Sequence, residues 1–89
     1  MHFTLRQLEV FVAVAQHENV SRAAKALALS QSATSTALAE LERQFSCQLL
    51  DRVGKRLRLN ALGLQLLPKA VALLDRAEES LVQTLPIGL

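Results

Sequence analysis

Short hydrogen-bonding side chains are concentrated in one segment of the chain, residues 31–36. They are Gln31, Ser32, Thr34, Ser35 and Thr36. A helix that enters the major groove of DNA by its N-terminal end uses such side chains to bind base edges and phosphate oxygens. The sequence places no nucleophile, base and orienting partner at a useful spacing, so the pattern disfavours catalysis. The chemistry that it favours is hydrogen bonding to DNA.

Two short helices joined by a tight turn are predicted around this segment. Ser21 and Ser30 are residue types that cap helix N-termini, and small residues follow each of them. The pattern predicts one helix over residues 21–28 and the next over residues 31–44. The residues expected to face the core are Ala23, Ala24, Leu27, Ala33, Thr34, Ala37, Leu38 and Leu41. Together the two predicted helices form a helix-turn-helix. Alternatively, the polar residues of segment 31–36 are simply a solvated helix face.

Basic residues are concentrated in a second predicted element, a β-hairpin. Residues 49–53 and 56–59 alternate apolar and polar side chains, and Gly54 provides the turn between them. The formal net charge of the whole chain is only +2. Residues 46–59 nevertheless carry Arg52, Lys55, Arg56 and Arg58 against Asp51 alone. Such a local surplus is typical of a contact patch, although an ordinary charged hairpin would also carry one.

We expect this hairpin to lie as a wing beside the second helix of the helix-turn-helix. Arg52, Lys55 and Arg56 are expected to contact phosphates there. Arg58 is expected to point away from the other basic residues, because side chains alternate along a strand. The hairpin would then add sequence-independent contacts to those of segment 31–36.

A long amphipathic helix is predicted at the end of the chain, from a cap at Asn60 to about Thr84. Apolar residues recur along it at intervals of three and four. The stripe consists of Leu62, Leu66, Ala70, Leu73, Leu74, Ala77 and Leu81. This is more apolar surface than an isolated helix on a small domain would expose, so we expect it to form a homodimer.

The length and composition of the chain favour one small, mainly α domain. The sequence has 89 residues, is 51% hydrophobic and contains no Trp or Tyr, so its core must be built from aliphatic side chains. Thr4 and Gln7 have the spacing of a capping box, which predicts a first helix ending near Glu18. The predicted fold is a winged helix-turn-helix of three helices and a hairpin over residues 1–59, followed by a dimerising linker helix over residues 60–85.

Other function classes find little support in the composition. Cys47 has no second cysteine to pair with, and we expect it to be a small buried apolar residue. Two scattered histidines cannot complete a zinc site with it, so neither a metal nor a cofactor is expected. The sequence shows no signal peptide and no apolar run long enough to span a bilayer. We therefore expect a cytoplasmic protein without a membrane partner.

Several segments of the sequence share one order and spacing with a known family. They are residues 11–15, 21–24, 29–35, 38, 41–42, 49, 52 and 57–63. In these segments the chain resembles the N-terminal DNA-binding domain of LysR-type bacterial transcriptional regulators. The resemblance implies a homodimer that binds an inverted-repeat operator in double-stranded DNA. It also implies that residues 86–89 begin a hinge to an effector-binding domain absent from this chain, which would hold a small-molecule inducer and complete a tetramer.

The resemblance also assigns roles to individual residues. Gln31, Ser32, Ser35 and Thr36 match the contacting start of the recognition helix. Arg22 matches a position that contacts the DNA backbone, while Arg52 and Arg56 match the wing. The chain also departs from the family at five positions. The family usually has proline where Ser32 stands, a long polar or basic residue at Thr36, glycine at Ser46, phenylalanine at Leu50 and threonine at Asn60.

Three alternatives remain at the level of sequence. A molybdate-responsive type of regulator has a similar winged domain and would differ in the domain that follows. A helical protein-interaction module would use the leucine stripe without binding DNA, and strongly salt-dependent duplex binding would exclude it. An enzyme is the least favoured of the three.

Overall fold

The computed structural model describes residues 2–84, with side chains for residues 2–79. This part of the chain forms four helices and one hairpin. The elements in chain order are α1 (Leu5–His17), α2 (Val20–Leu27), α3 (Gln31–Phe45), β1 (Leu50–Val53), β2 (Arg56–Leu59) and α4 (Ala61–Thr84). This arrangement confirms the predicted mainly α fold, a winged helix-turn-helix with a long last helix. The predicted hinge at residues 86–89 lies outside the described residues.

Helix α1 is the centre of the domain and packs against α2, α3 and α4. The predicted capping box begins it, because the Gln7 N–H donates to Thr4 Oγ1 (3.1 Å) and the Thr4 N–H donates to Gln7 Oε1 (3.1 Å). Its buried residues are Leu8, Val10, Phe11, Ala13 and Val14. This buried face is wide because helices cover α1 on several sides, whereas Leu5, at the start of the helix, remains 49% exposed.

Helix α2 begins earlier than the sequence pattern predicts. Glu18 follows the end of α1 in the left-handed conformation at φ 56°, so only two residues, Glu18 and Asn19, lie between the two helices. The side chain of Asn19 accepts a hydrogen bond from the Arg22 N–H (2.9 Å) and caps α2. The prediction of a cap at Ser21 is therefore wrong, and Ser21 lies within the first turn of the helix.

Helix α3 begins at the predicted cap, where Ser30 Oγ accepts from the Ala33 N–H (3.0 Å). It ends with Ser46 in the left-handed conformation at φ 55°, a conformation that favours the glycine usual in the family. The Cys47 N–H then donates to the Glu42 carbonyl (3.3 Å). Cys47 is exposed, not buried as predicted, because this turn lies on the surface beyond the helix end. Ala33 is also exposed, contrary to prediction.

The hairpin and the start of α4 are joined closely. Gly54 forms the turn at φ 63°, and β1 pairs with β2 in antiparallel register. Asn60 caps α4 as predicted, since its Oδ1 accepts from the Gly63 N–H (2.9 Å). A Cβ at Gly63 would overlap the carbonyl oxygen of Leu49 and lie 2.9 Å from a methyl carbon of Leu59. Only glycine lets the helix pass this close to the hairpin.

Much of the apolar stripe on α4 packs against its own chain. Ala70 is fully buried in the core, and Leu62, Leu66 and Leu74 pack against that core. The prediction that Ala70 is available to a second copy is therefore wrong, because its side chain is buried within its own domain. Leu62, Leu66 and Leu74 are half-buried, and their contact with a second copy stays a prediction. Leu73 remains 44% exposed. Ala77 is half-buried, and the side chain of Leu81 lies outside those described.

Candidate nucleic-acid interface

An open groove of about 300 Å³ separates the start of α3 from the wing. Gln31 and Ser35 line it from α3, and Arg52 and Lys55 line it from the wing. The first residues of α2 form a third side: Asn19, Val20 and Ser21. The fold thus brings together hydrogen-bonding groups from α3 and cations from the hairpin, which are distant in sequence.

Four of the five predicted recognition residues on α3 are exposed: Gln31, Ser32, Ser35 and Thr36. The fifth, Thr34, is fully buried. Its side chain faces the domain interior, and its Oγ1 donates to the Ser30 carbonyl at 2.9 Å. The expectation that Thr34 contacts DNA is wrong, because its hydroxyl is already used and is out of reach of a ligand.

The two faces of the hairpin carry different basic residues. Arg52 pairs across the ladder with Leu57, and both line the groove beside α3. Arg56 and Arg58 are two residues apart and share the opposite face. The prediction that Arg58 points away from the other basic residues is therefore wrong in one respect, because alternation separates it from Arg52 but not from Arg56.

Glu18, at the turn between α1 and α2, anchors the hairpin. Its carbonyl accepts from the Leu57 N–H (3.0 Å). Its carboxylate lies 3.6 Å from Arg56 Nη1 and 3.3 Å from Arg58 Nε. The backbone hydrogen bond holds β2 against the body of the domain. Glu18 was not predicted as a site residue, because no local pattern in the sequence signals a partner so far along the chain.

A second hollow adjoins the groove on the other side of the wing tip. It is lined by His17, Glu18, Asn19, Arg22, Lys55 and Arg56. Arg22 is exposed at the start of α2, so the predicted backbone contact is sterically open to it. Asn19 and Ser21 also line these hollows but were not predicted as site residues. Asn19 had a signal, because asparagine is a preferred helix cap and leads directly into this surface.

Two other kinds of site receive no support from the described residues. Within residues 2–84, no group of three or more His, Cys, Asp or Glu side chains lies close enough to hold a metal ion. In the same part of the chain, no helix combines the length and apolar character needed to cross a membrane.

Comparison with known proteins identifies the family. Residues 5–64, which include the whole groove, match the bacterial regulatory helix-turn-helix proteins of the lysR family. The chain belongs to the LysR family. The uncharacterized HTH-type transcriptional regulator YeiE of Escherichia coli (strain K12) is a LysR relative that is 56% identical over 79 residues. That alignment covers 89% of this chain but only 27% of the E. coli protein.

Solved LysR domains match the fold over nearly the whole chain. The DNA-binding domain of CbnR, in a complex with DNA, superposes with a TM-score of 0.85 at 33% identity, covering 92% of this chain and 94% of that one. The DNA-binding domain of BenM with catB site 1 DNA gives 0.86 at 28% identity, with 92% of each chain covered. This chain is thus a LysR-type DNA-binding domain, and its relatives are transcriptional regulators and not enzymes.

Proposed function

We propose that this chain binds double-stranded DNA sequence-specifically through the N-terminal half of α3 in the major groove. The observation that carries the proposal is the row of exposed polar residues at the start of α3, two of which, Gln31 and Ser35, face the wing cations across one groove. The row consists of Gln31, Ser32, Ser35 and Thr36. Glutamine and serine at the start of a helix hydrogen-bond to base edges, and glutamine distinguishes adenine by donating and accepting at once.

The wing and α2 supply positioning contacts in this proposal. Arg52, Lys55 and Arg56 contact the DNA backbone or enter the minor groove, and Arg22 contacts a phosphate beside α3. Thr36 stands where a long side chain is usual in the family and is too short to reach the backbone. Affinity therefore depends more on the wing, and discrimination between bases depends more on Gln31.

We further propose that two copies pair through α4 and bind an inverted repeat. Among the described side chains of this helix, three large apolar ones remain exposed: Leu64, Val71 and Leu73. A helix of 24 residues is about 36 Å long at ~1.5 Å per residue. Two such helices packed antiparallel would separate the recognition helices by a distance comparable to one turn of DNA, about 34–36 Å. Leu73, Ala77 and Leu81 remain the predicted seam.

The rest of the regulator is also a proposal. Because this chain covers only 27% of its E. coli relative, we propose that the full-length protein adds an effector-binding domain after residues 86–89. That domain would bind a small-molecule inducer and complete a tetramer. A regulator of bacterial promoters would act in the cytoplasm, where the chromosome lies.

Selection from random DNA tests the proposal directly. The purified chain is incubated with a pool of random duplexes, and the retained fragments are sequenced. We expect enrichment of one inverted repeat, and an affinity for it that falls steeply as salt rises. A pool that stays random would contradict sequence-specific binding. A chain that retains no duplex at low salt would instead favour the protein-interaction alternative.

A further inference from the structure

An acidic residue lies among the basic groups of the candidate interface. Glu18 lines the groove beside Arg52 and also the adjoining hollow beside Arg22. A carboxylate next to bound phosphates opposes binding, because it repels them and attracts the cations that would neutralise them. The position of Glu18 therefore affects the electrostatics of this surface as well as the fold.

The contacts of Glu18 separate into a backbone part and a side-chain part. The carbonyl holds β2 through the N–H of Leu57 (3.0 Å), and this bond does not depend on the charge of the side chain. The carboxylate engages Arg56 at 3.6 Å and Arg58 at 3.3 Å. The Glu18 side chain is 29% exposed, against 74% and 63% for the two arginines.

These ion pairs are too exposed to contribute much to the stability of the hairpin. Their larger effect is on what the arginines can bind. A guanidinium that lies against a carboxylate is partly neutralised by it, so a phosphate must compete with that carboxylate for the positive charge. Arg52, on the opposite face of the hairpin, has no carboxylate within 4.0 Å among the described side chains.

We infer that Glu18 competes with DNA phosphates for Arg56 and Arg58 and thereby limits the sequence-independent part of DNA binding. The inference rests on the proposed function. Glu18 acts as a positioning residue, because it determines which wing cations are available to the backbone. Arg52 and Lys55 then make the main backbone contacts of the wing. A lower affinity for the DNA backbone helps the protein to distinguish its operator from other DNA, because non-specific sites in a genome greatly outnumber the operator.

The test is Glu18→Gln, which keeps the shape of the side chain and the backbone bond to Leu57 but removes the charge. We expect binding to a random duplex at 0.1 M salt to tighten by about three- to tenfold. The slope of log affinity against log salt should steepen by up to about 0.9, the value for one added phosphate contact. Adding both Arg56→Ala and Arg58→Ala to Glu18→Gln should abolish most of this gain. Far-ultraviolet circular dichroism checks that each variant is folded.

The matched control is Glu79→Gln, which changes the net charge equally. Glu79 is exposed on α4, 16 residues beyond Gly63, or about 24 Å along the helix at ~1.5 Å per residue. Since charges are screened over about 10 Å at 0.1 M salt, this variant should bind duplexes within about twofold of wild type.

The other outcomes divide clearly. Weaker binding and a shallower slope in Glu18→Gln would show that the carboxylate only holds the wing in place, and would overturn the inference. An effect equal to that of Glu79→Gln would also overturn it, because the gain would then reflect net charge alone. If the wild-type chain binds no duplex, the proposed function fails and this inference fails with it. If wild type binds DNA and Glu18→Gln binds with the same affinity and salt slope, this inference is overturned and the proposed function stands.

Discussion

Gln31 combines exposure with the most informative chemistry in the groove. It is the first residue of α3 and stands directly after the cap at Ser30. The amide of a glutamine can donate to and accept from one adenine edge, whereas a serine hydroxyl fits either role at several bases. Discrimination at one base position of each half-site is therefore expected to depend on this residue.

Replacing Gln31 with Ala is expected to remove that discrimination. The cost on the selected operator should be about 1–3 kcal/mol, concentrated at one base position, with little change in the salt dependence. Affinity measured on a set of single-base operator variants gives the profile. Gln65→Ala, on the exposed surface of α4, is the matched control and should leave the profile unchanged. A wild-type profile in Gln31→Ala would exclude a reading role for this side chain.

Arg52 and Arg56 allow the two faces of the wing to be compared. Arg52→Ala should weaken operator and random duplexes by similar factors and reduce the salt slope by about 0.9, because it removes one phosphate contact from each complex. Arg56→Ala should reduce the slope by less, since Glu18 already holds that guanidinium. Titrations between low and moderate salt measure both slopes. Equal slopes in Arg52→Ala and wild type would mean that this face of the wing does not touch the backbone.

At the scale of elements, helix ends determine where the site residues point. Asn19 fixes the start of α2 and so the direction in which Ser21 and Arg22 leave the helix. Gly63 fixes how closely α4 approaches the hairpin at Leu49. Both positions act on the interface through backbone geometry and not through contact with DNA.

The cap of α2 gives a stability prediction. Asn19→Ala should lower the free energy of unfolding by about 1 kcal/mol, because the Arg22 N–H loses its acceptor. Ser21→Ala should change it by less than about 0.5 kcal/mol, since Ser21 is an exposed residue within the helix. Urea denaturation of the two variants compares them directly. The opposite order would restore Ser21 as the cap.

The start of α4 gives a second stability prediction. Alanine in place of a helical glycine normally stabilises a helix by about 1 kcal/mol. Gly63→Ala should instead destabilise the domain by about 1–3 kcal/mol, because the new Cβ overlaps the Leu49 carbonyl. Gly54→Ala, which meets no atom within 4 Å but has φ +63°, should cost about 1 kcal/mol from backbone strain alone. A stabilised Gly63→Ala in urea denaturation would show that the hairpin can move away from α4.

For the whole molecule, α4 has two environments. Its Ala70 side chain completes the core of the winged domain, whereas Val71 and Leu73 are exposed by 38% and 44%. Exposed aliphatic residues on a long helix favour a second helix as a partner. The domain and the proposed dimer therefore share one element, so changes on α4 must be chosen to disturb only the outer face.

Leu73→Glu meets that condition and is expected to convert the chain from dimer to monomer. The charge would be placed on the outer face, where a second helix would otherwise bury the leucine. Sedimentation at micromolar concentrations gives the mass, and circular dichroism verifies the fold. Gln65→Glu adds the same charge at an exposed polar position of α4 and should remain dimeric. A wild-type chain that is monomeric at high micromolar concentration would contradict pairing through α4.

The sequence by itself determined the elements and most of their ends. The capping box at Thr4, the cap at Ser30, the turn at Gly54 and the cap at Asn60 were all predicted and confirmed. These signals depend on residues only a few positions apart, so they are complete in the sequence. The same holds for the exposed row at the start of α3.

The tertiary structure alone decided which side chains are free to act. Ala70 has the sequence spacing of a residue in the dimer seam, yet it is buried by other elements of its own domain. Cys47 has an apolar character but lies on an exposed turn. Glu18 meets Arg56 and Arg58 only because the hairpin folds back onto the turn between α1 and α2. Burial and ion pairing depend on partners distant along the chain, and no local pattern in one sequence specifies those partners.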